Sequence, residues 1–141
     1  MVQGVDIVEI ARIARLAQRS RFLKRIYTVQ ELALIEGVNA ARRAEILAGR
    51  FAAKEAVMKA FGSLLLNFPS NAKRQLAAVD HKARSMGVSF HEIETLSHLS
   101  GAPLLRLHGE AEQIARHYKL SRFSVSLSHT REVAIAFVIL S

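Results

Sequence analysis

The chain has no cysteine, no tryptophan and only two prolines, and its 12 acids face 20 lysines and arginines. Without thiols there is no disulfide framework and no thiolate metal site, so a bound metal must rest on oxygen or imidazole, and the composition fits a reducing compartment. Aromatic residues are 6% of the chain, and no basic run is interleaved with them as in single-strand nucleic-acid binders. No uninterrupted apolar stretch approaches the roughly 18 residues that a membrane span needs. The opening Met1-Val2-Gln3-Gly4-Val5-Asp6 carries neither a basic-plus-apolar signal nor an arginine-rich leader, which predicts a protein that is not exported. The expected location is the cytoplasm, with an organelle matrix after leader removal as the alternative.

Half of the 141 residues are apolar, enough for one packed core and too little chain for two ordinary domains, so a single domain over 1–141 is expected. The formal net charge of +8 predicts attraction to a polyanion: nucleic acid, anionic lipid, an acidic protein or a phosphorylated small molecule.

Residues 2–7 read as a strand that hands over at Asp6 to a helix with Ile10, Ile13, Leu16 and Ala17 at helical spacing. Arg12, Arg15 and Arg19 recur at i, i+3 and i+7 on its wet side, either an ordinary solvated face or a docking surface for an acidic helix. Thr28, Gln30 and Glu31 mark a second helix start, with Gly37 or Asn39 as its stop. A long helix is expected from about Ala41 to Phe61, closed by Gly62 in a left-handed cap. Ser63–Asn71 reads as a loop and Ala72–Met86 as an amphipathic helix ended by Gly87. Strands follow at 88–95 and 103–108, then a helix over 110–119 and a hairpin of 123–128 with 133–140 around His129 and Thr130. Because 133–140 is apolar throughout, it should be central in the sheet or covered on both faces. The fold class by pattern is α+β, an antiparallel sheet packed with helices.

The most informative stretch is Gly49-Arg50-Phe51-Ala52-Ala53-Lys54-Glu55-Ala56-Val57-Met58-Lys59-Ala60-Phe61-Gly62. Apolar or alanine positions lie nearly all round it, which predicts a buried helix. Its charges must then be paired or put to use, since an unpaired buried charge costs several kcal/mol or changes protonation. Glu55 and Lys59 stand in the favourable i, i+4 order of a surface pair worth about 0.2–0.5 kcal/mol; Lys54 is either structural or phosphate-facing. Asp6 and Glu9 have the spacing of a capping box. The alternative for Asp6 is that it meets Glu55 to bind a hard divalent ion. Mg2+ suits two acids, since water and substrate phosphate complete its oxygen shell.

This helix, together with Gly4-Val5-Asp6-Ile7 and Ser126-Leu127-Ser128-His129-Thr130, resembles the 4'-phosphopantetheinyl transferases, specifically the small holo-acyl-carrier-protein synthase type. The three segments occur in the family's order. The resemblance covers 2–62 and 101–140 and implies the family's single-domain α+β fold. It also implies transfer of 4'-phosphopantetheine from coenzyme A to a serine of acyl carrier protein, releasing adenosine 3',5'-bisphosphate. On this resemblance Asp6 and Glu55 are the Mg2+ ligands, and Asp6, Glu55 and Lys59 form the catalytic set. The serine proton would go to Glu55 or to a water polarised by the metal and Asp6. Arg50 matches a position contacting the nucleotide part of coenzyme A. Arg42 and Arg43 lie where the family places bases near the 3'-phosphate, although a solvated helix end explains them equally well. His129 and Thr130 match the coenzyme-contacting segment, against the plainer reading of exposed turn residues. Arg12 aligns with a carrier-docking position, which favours Arg12, Arg15 and Arg19 as a docking stripe for the acidic carrier protein. A homotrimer with active sites between subunits is expected in turn, and fatty-acid synthesis is the expected pathway, with polyketide or another carrier-dependent synthesis as alternatives.

The chain departs from the family's pattern after Phe61-Gly62, where residues 63–87 replace a short glycine-containing loop. A non-catalytic basic module binding nucleic acid is the alternative function, and a family member reduced to a structural subunit is a third. Retention of Asp6, Glu55 and Lys59 argues against the last.

Overall fold

The computed structural model describes residues 1–64 and 87–141. In chain order these form β1 (Val2–Glu9), α1 (Ile10–Leu16), α2 (Ser20–Ile26), α3 (Val29–Ala33), α4 (Ala40–Leu64), β2 (Ile93–Ser97), β3 (Pro103–Leu107), α5 (Gly109–His117), β4 (Phe123–His129) and β5 (Val133–Leu140). The expected helix over 72–86, and most of the 63–87 departure, lie outside the described residues.

The α+β class holds, with the strands divided between two antiparallel sheets: one in the order β1-β5-β4, the other the β2-β3 hairpin. α4 lies across the first sheet and is buried over most of its circumference, from Ala44 through Ala48, Ala52, Ala56 and Ala60 to Leu64, with Lys59 exposed and Glu55 half-buried on one flank. β5 is central, as its composition requires. It is covered on one face only: Ala134, Ala136, Val138 and Leu140 point into the core, whereas Ile135 and Phe137 are 38% and 40% exposed.

Several boundaries differ from the sequence reading, each for a physical reason. α1 stops at Leu16, so Arg19 is not on the helix of Arg12 and Arg15 but precedes α2. Ile10, Ile13 and Ala17 face the core from α1, and Phe22, Leu23 and Ile26 from α2; on one continuous helix the two sets would lie on opposite faces, so the chain breaks to bury both. Arg12, Arg15 and Arg19 are nonetheless all exposed.

Asp6 caps nothing: β1 runs through it to Glu9, the residue flanking α1, which makes no side-chain cap bond. Thr28, by contrast, forms a full capping box with Glu31. Gly37 is left-handed at φ 72° and ends the turn that follows α3. Asn39 opens α4, its Oδ1 accepting from the Arg42 N–H at 2.9 Å. Gly62 is not a left-handed cap, because α4 continues through it. Leu64 is 5% exposed in the core, and its burial offsets the ~1 kcal/mol cost of a helical glycine. Residues 90–92 form a 3-10 turn rather than strand, since Glu92 reaches back to the Ser89 N–H in a capping box. Among the described residues no helix is long and apolar enough to cross a membrane.

Candidate active site

The local architecture of the first half depends on Gly4. In β1, alternation turns Val2, Gly4, Asp6 and Val8 toward α4 and leaves Val5 and Ile7 outside. At Gly4 the strand lies so close to the helix that a Cβ would sit 1.9 Å from the Ala56 carbonyl oxygen. The alanines of α4 and this glycine together allow the approach, and it carries Asp6, two residues on, to the flank of α4. Gly4→Ala is expected to push β1 off the helix, costing about 2–3 kcal/mol in urea unfolding, the upper range of overpacking, and lowering any activity that needs Asp6. A stability within about 0.5 kcal/mol of wild type would show that the contact tolerates the methyl group.

On that flank Lys59 Nζ donates to Asp6 Oδ1 at 2.7 Å and to the Val5 carbonyl at 3.1 Å. The ion pair is lopsided in exposure, 56% for the lysine side chain and 13% for the aspartate. Lys59 thus takes its hydrogen-bonding acid from β1. Glu55, one turn earlier on α4, is half-buried. Burial, and after it the charge of Asp6, raises the Glu55 carboxyl above the usual carboxylate range, while Lys59 and Arg12 pull it down. Asp6 and Arg12 from the start of the chain and Glu55 and Lys59 from α4 therefore share one electrostatic neighbourhood.

A carboxyl raised in this way holds its proton more tightly in the folded chain than in the unfolded one. Its contribution to stability is complete below the ordinary carboxylate pKa and is lost as pH rises through the raised value. In metal-free protein, carboxyl NMR should place the Glu55 midpoint above that of an exposed glutamate, and Asp6→Asn should bring it down. A midpoint indifferent to Asp6→Asn would show that the two acids do not share a locus.

Farther toward the start of α4 lies a cleft of about 270 Å3. Arg42, Glu45 and Arg50 come from α4, Ser97 from the end of β2, and Ser128 and His129 from β4. Arg50 is anchored by donating from Nη2 to Ser97 Oγ at 3.0 Å and from Nε to the Thr95 carbonyl at 3.4 Å. Burial lowers its guanidinium pKa from the usual value; Glu31 raises it and Arg42 lowers it further. Two guanidinium groups coupled by repulsion across a polar cleft offer paired donors to an anion.

The two other expected coenzyme contacts fall differently. Arg43 lines a separate cleft between α1 and α4, beside Ala14, Ala17 and Gln18, because successive helix residues diverge. Thr130 closes the β4–β5 turn, its hydroxyl accepting from the Glu132 and Val133 N–H groups at 3.2 Å, and does not line the cleft of Arg50 and His129.

Lys54 is structural rather than phosphate-facing. Its side chain is 0% exposed and its Nζ donates to Glu31 Oε1 at 2.6 Å and to the carbonyls of Phe90 and Ile93. Burial lowers the lysine pKa and the Glu31 charge opposes that shift. Glu31 also accepts from Thr28 N at 3.0 Å and Thr95 N at 3.1 Å. The pair ties α3, α4 and β2 together beneath the strand that anchors Arg50. Sequence reasoning marked Glu31 only as a helix-start signal and passed over Glu45 and Ser97. Thr28-x-x-Glu31 was visible, but its partner lies far along the chain.

Residues 3–138 match the sequence profile of the 4'-phosphopantetheinyl transferase superfamily. The holo-[acyl-carrier-protein] synthase of Herpetosiphon aurantiacus is 39% identical over 141 residues, covering 99% of this chain and 97% of that protein. That of Chloroflexus aggregans is 41% identical over 143 residues, covering 99% and 94%. The crystal structure of Helicobacter pylori holo-[acyl-carrier-protein] synthase in complex with coenzyme A superposes with a TM-score of 0.71 at 28% identity, covering 99% of both chains. The profile match, the near-complete overlap with these relatives and the shared fold establish that the chain belongs to the 4'-phosphopantetheinyl transferase superfamily and is of the holo-acyl-carrier-protein synthase type.

Proposed function

We infer that this protein transfers 4'-phosphopantetheine from coenzyme A to a serine of apo-acyl carrier protein, giving holo-carrier protein and adenosine 3',5'-bisphosphate. The observation that carries the reading within this chain is the convergence of Asp6 on Glu55 and Lys59, residues of the family's characteristic segments.

The donor set suits Mg2+. Two carboxylates meet at one partly solvated locus, and among the described residues no cluster of three or more acids, histidines or cysteines provides a fuller cage. A dication that keeps water and takes substrate phosphate oxygen needs no more protein ligands than these. Asp6 and Glu55 would hold the ion, which when bound would neutralise charge on the coenzyme phosphates and ease departure of the leaving phosphate. Lys59, with 56% of its side chain exposed, exchanges its bonds to Asp6 and the Val5 carbonyl for the same phosphate charge. The serine proton is taken by the Glu55 carboxylate or by a water held beside Asp6. Arg50, with Arg42 and His129 around the cleft, receives the nucleotide phosphates, bidentate guanidinium contacts giving both affinity and orientation.

The excess of basic residues serves the second substrate. Exposed Arg12, Arg15 and Arg19 steer an acidic helical carrier protein by long-range attraction that weakens with salt. Arg12 also lies near Glu55, which brings the docking surface to the reacting groups. The chain works as a homotrimer. Val5, Ile7, Ile135 and Phe137, exposed at 49%, 61%, 38% and 40%, are cross-strand pairs on the outer face of the β1–β5 ladder and supply an apolar surface for subunit contact. Cytoplasmic service in fatty-acid synthesis follows from the same reading.

Incubation of the protein with coenzyme A, Mg2+ and a bacterial apo-acyl carrier protein should add one phosphopantetheine to the carrier, seen by intact-mass spectrometry. Carriers that stay apo across fatty-acid and polyketide types, from well-folded enzyme, would defeat the proposal.

A further inference from the structure

Among the described residues, the cleft that holds Arg42, Arg50 and His129 is lined by one acid, Glu45. A single oxygen of it, Oε2, lies 3.1 Å from Arg42 Nη1 and 3.7 Å from His129 Nε2. Arg42 and Glu45 are neighbours on α4, and such a pair alone is worth little. His129 comes from β4 on the other side of the cleft, so this carboxylate sits between a guanidinium and an imidazole of two different elements. The Arg42, Glu45 and His129 side chains are 54%, 26% and 41% exposed, so an entering ligand can reach all three. An acid there opposes the binding of any anion, by competing for the same donors and by direct repulsion.

Resting on the reading that this cleft takes the nucleotide end of coenzyme A, we propose that Glu45 is a built-in competitor for the phosphate donors, setting how readily the bisphosphate nucleotide product leaves. The product keeps the nucleotide phosphates of the substrate, so a cleft carrying only Arg42, Arg50 and His129 would retain it after transfer. Glu45 returns to Arg42 and His129 as the phosphate withdraws, replacing the lost contacts and lowering the cost of release. Glu45 is a positioning residue in this scheme: it acts through Arg42 and His129 and takes no part in the transfer itself.

The test is Glu45→Gln, which keeps the shape and removes the charge. Calorimetric titration at fixed ionic strength with adenosine 3',5'-bisphosphate, and separately with coenzyme A, should show both dissociation constants falling about three- to tenfold. KM for coenzyme A should fall with them, and kcat should fall as product release slows. Glu45→Asp, retaining the charge, should bind more nearly as wild type does. Unchanged or weaker binding by Glu45→Gln, with wild type binding normally, would assign Glu45 to simple orientation of Arg42 and overturn the proposal. Wild-type protein that bound neither ligand would instead bring down the assignment of the cleft, and this proposal with it.

Discussion

Glu55→Gln is expected to lower the rate of phosphopantetheine transfer by at least roughly a thousandfold, the scale on which removal of a central electrostatic or acid–base group acts. The same variant should fold normally and resist urea as well as wild type or better when no metal is present. Both halves follow from one feature. Glu55 is half-buried and beside Asp6, and each circumstance disfavours its charge. The ionised carboxylate therefore costs the fold something, being held against burial and a like charge. Glutamine removes that cost while keeping nearly the same volume. The trade is the one expected where a destabilised group is retained for chemistry. Carrier loading followed by mass spectrometry, alongside urea unfolding in the presence of a chelator, checks the two halves separately. A variant retaining more than a tenth of the wild-type rate would remove Glu55 from the catalytic set. One that unfolded easily would give it a structural role instead.

Lys54→Met is expected to cost the fold about 3–5 kcal/mol, the usual penalty for leaving one partner of a buried ion pair uncompensated. Neither side chain of the Lys54–Glu31 pair is more than 1% exposed, so water cannot take over solvation of an orphaned Glu31. The double variant Lys54→Met with Glu31→Gln should be more stable than Lys54→Met alone. The remaining amide is neutral, and its single oxygen can still accept from one of Thr28 N and Thr95 N, which now bond to different oxygens of Glu31. A double-mutant cycle in urea would read this as strong positive coupling. A loss below about 1 kcal/mol for Lys54→Met would contradict the account. Arg50 rests on the Thr95 carbonyl and Ser97 of the same strand, so Lys54→Met should also weaken coenzyme binding without touching Asp6 or Glu55.

The long helix, the opening strand and the closing hairpin were legible because local rules dominate there: apolar residues all round one segment, period-two alternation in another. Thr28, Gln30 and Glu31 announced a helix start for the same reason, and only the structure showed it as a capping box. The limits of α1, Gly62 and residues 90–92 were not legible. In each, a distant core contact or a side chain closing back on the backbone outweighed local preference: Leu64 drew α4 past Gly62, and Phe22 with Ile26 forced the break after α1. The site shows the same division. Residue types in family order named Asp6, Glu55, Lys59, Arg50 and His129. Only the packed chain separated Arg43 and Thr130 from the cleft, and only it placed Glu45 between Arg42 and His129.

The amino-acid sequence by itself determined the α+β class, the burial of the α4 segment and which charges within it required explanation, because these depend on spacing along the chain and on the cost of burying charge. The partner of each charge was decided only by tertiary structure. Lys54 could have met a phosphate and met Glu31; Lys59 could have paired with Glu55 and paired with Asp6. A hydrogen-bonded ion pair forms only where the two groups come within a few ångströms of each other. The few ångströms that matter here are set by how closely the glycine-bearing strand lies on the alanine-lined helix.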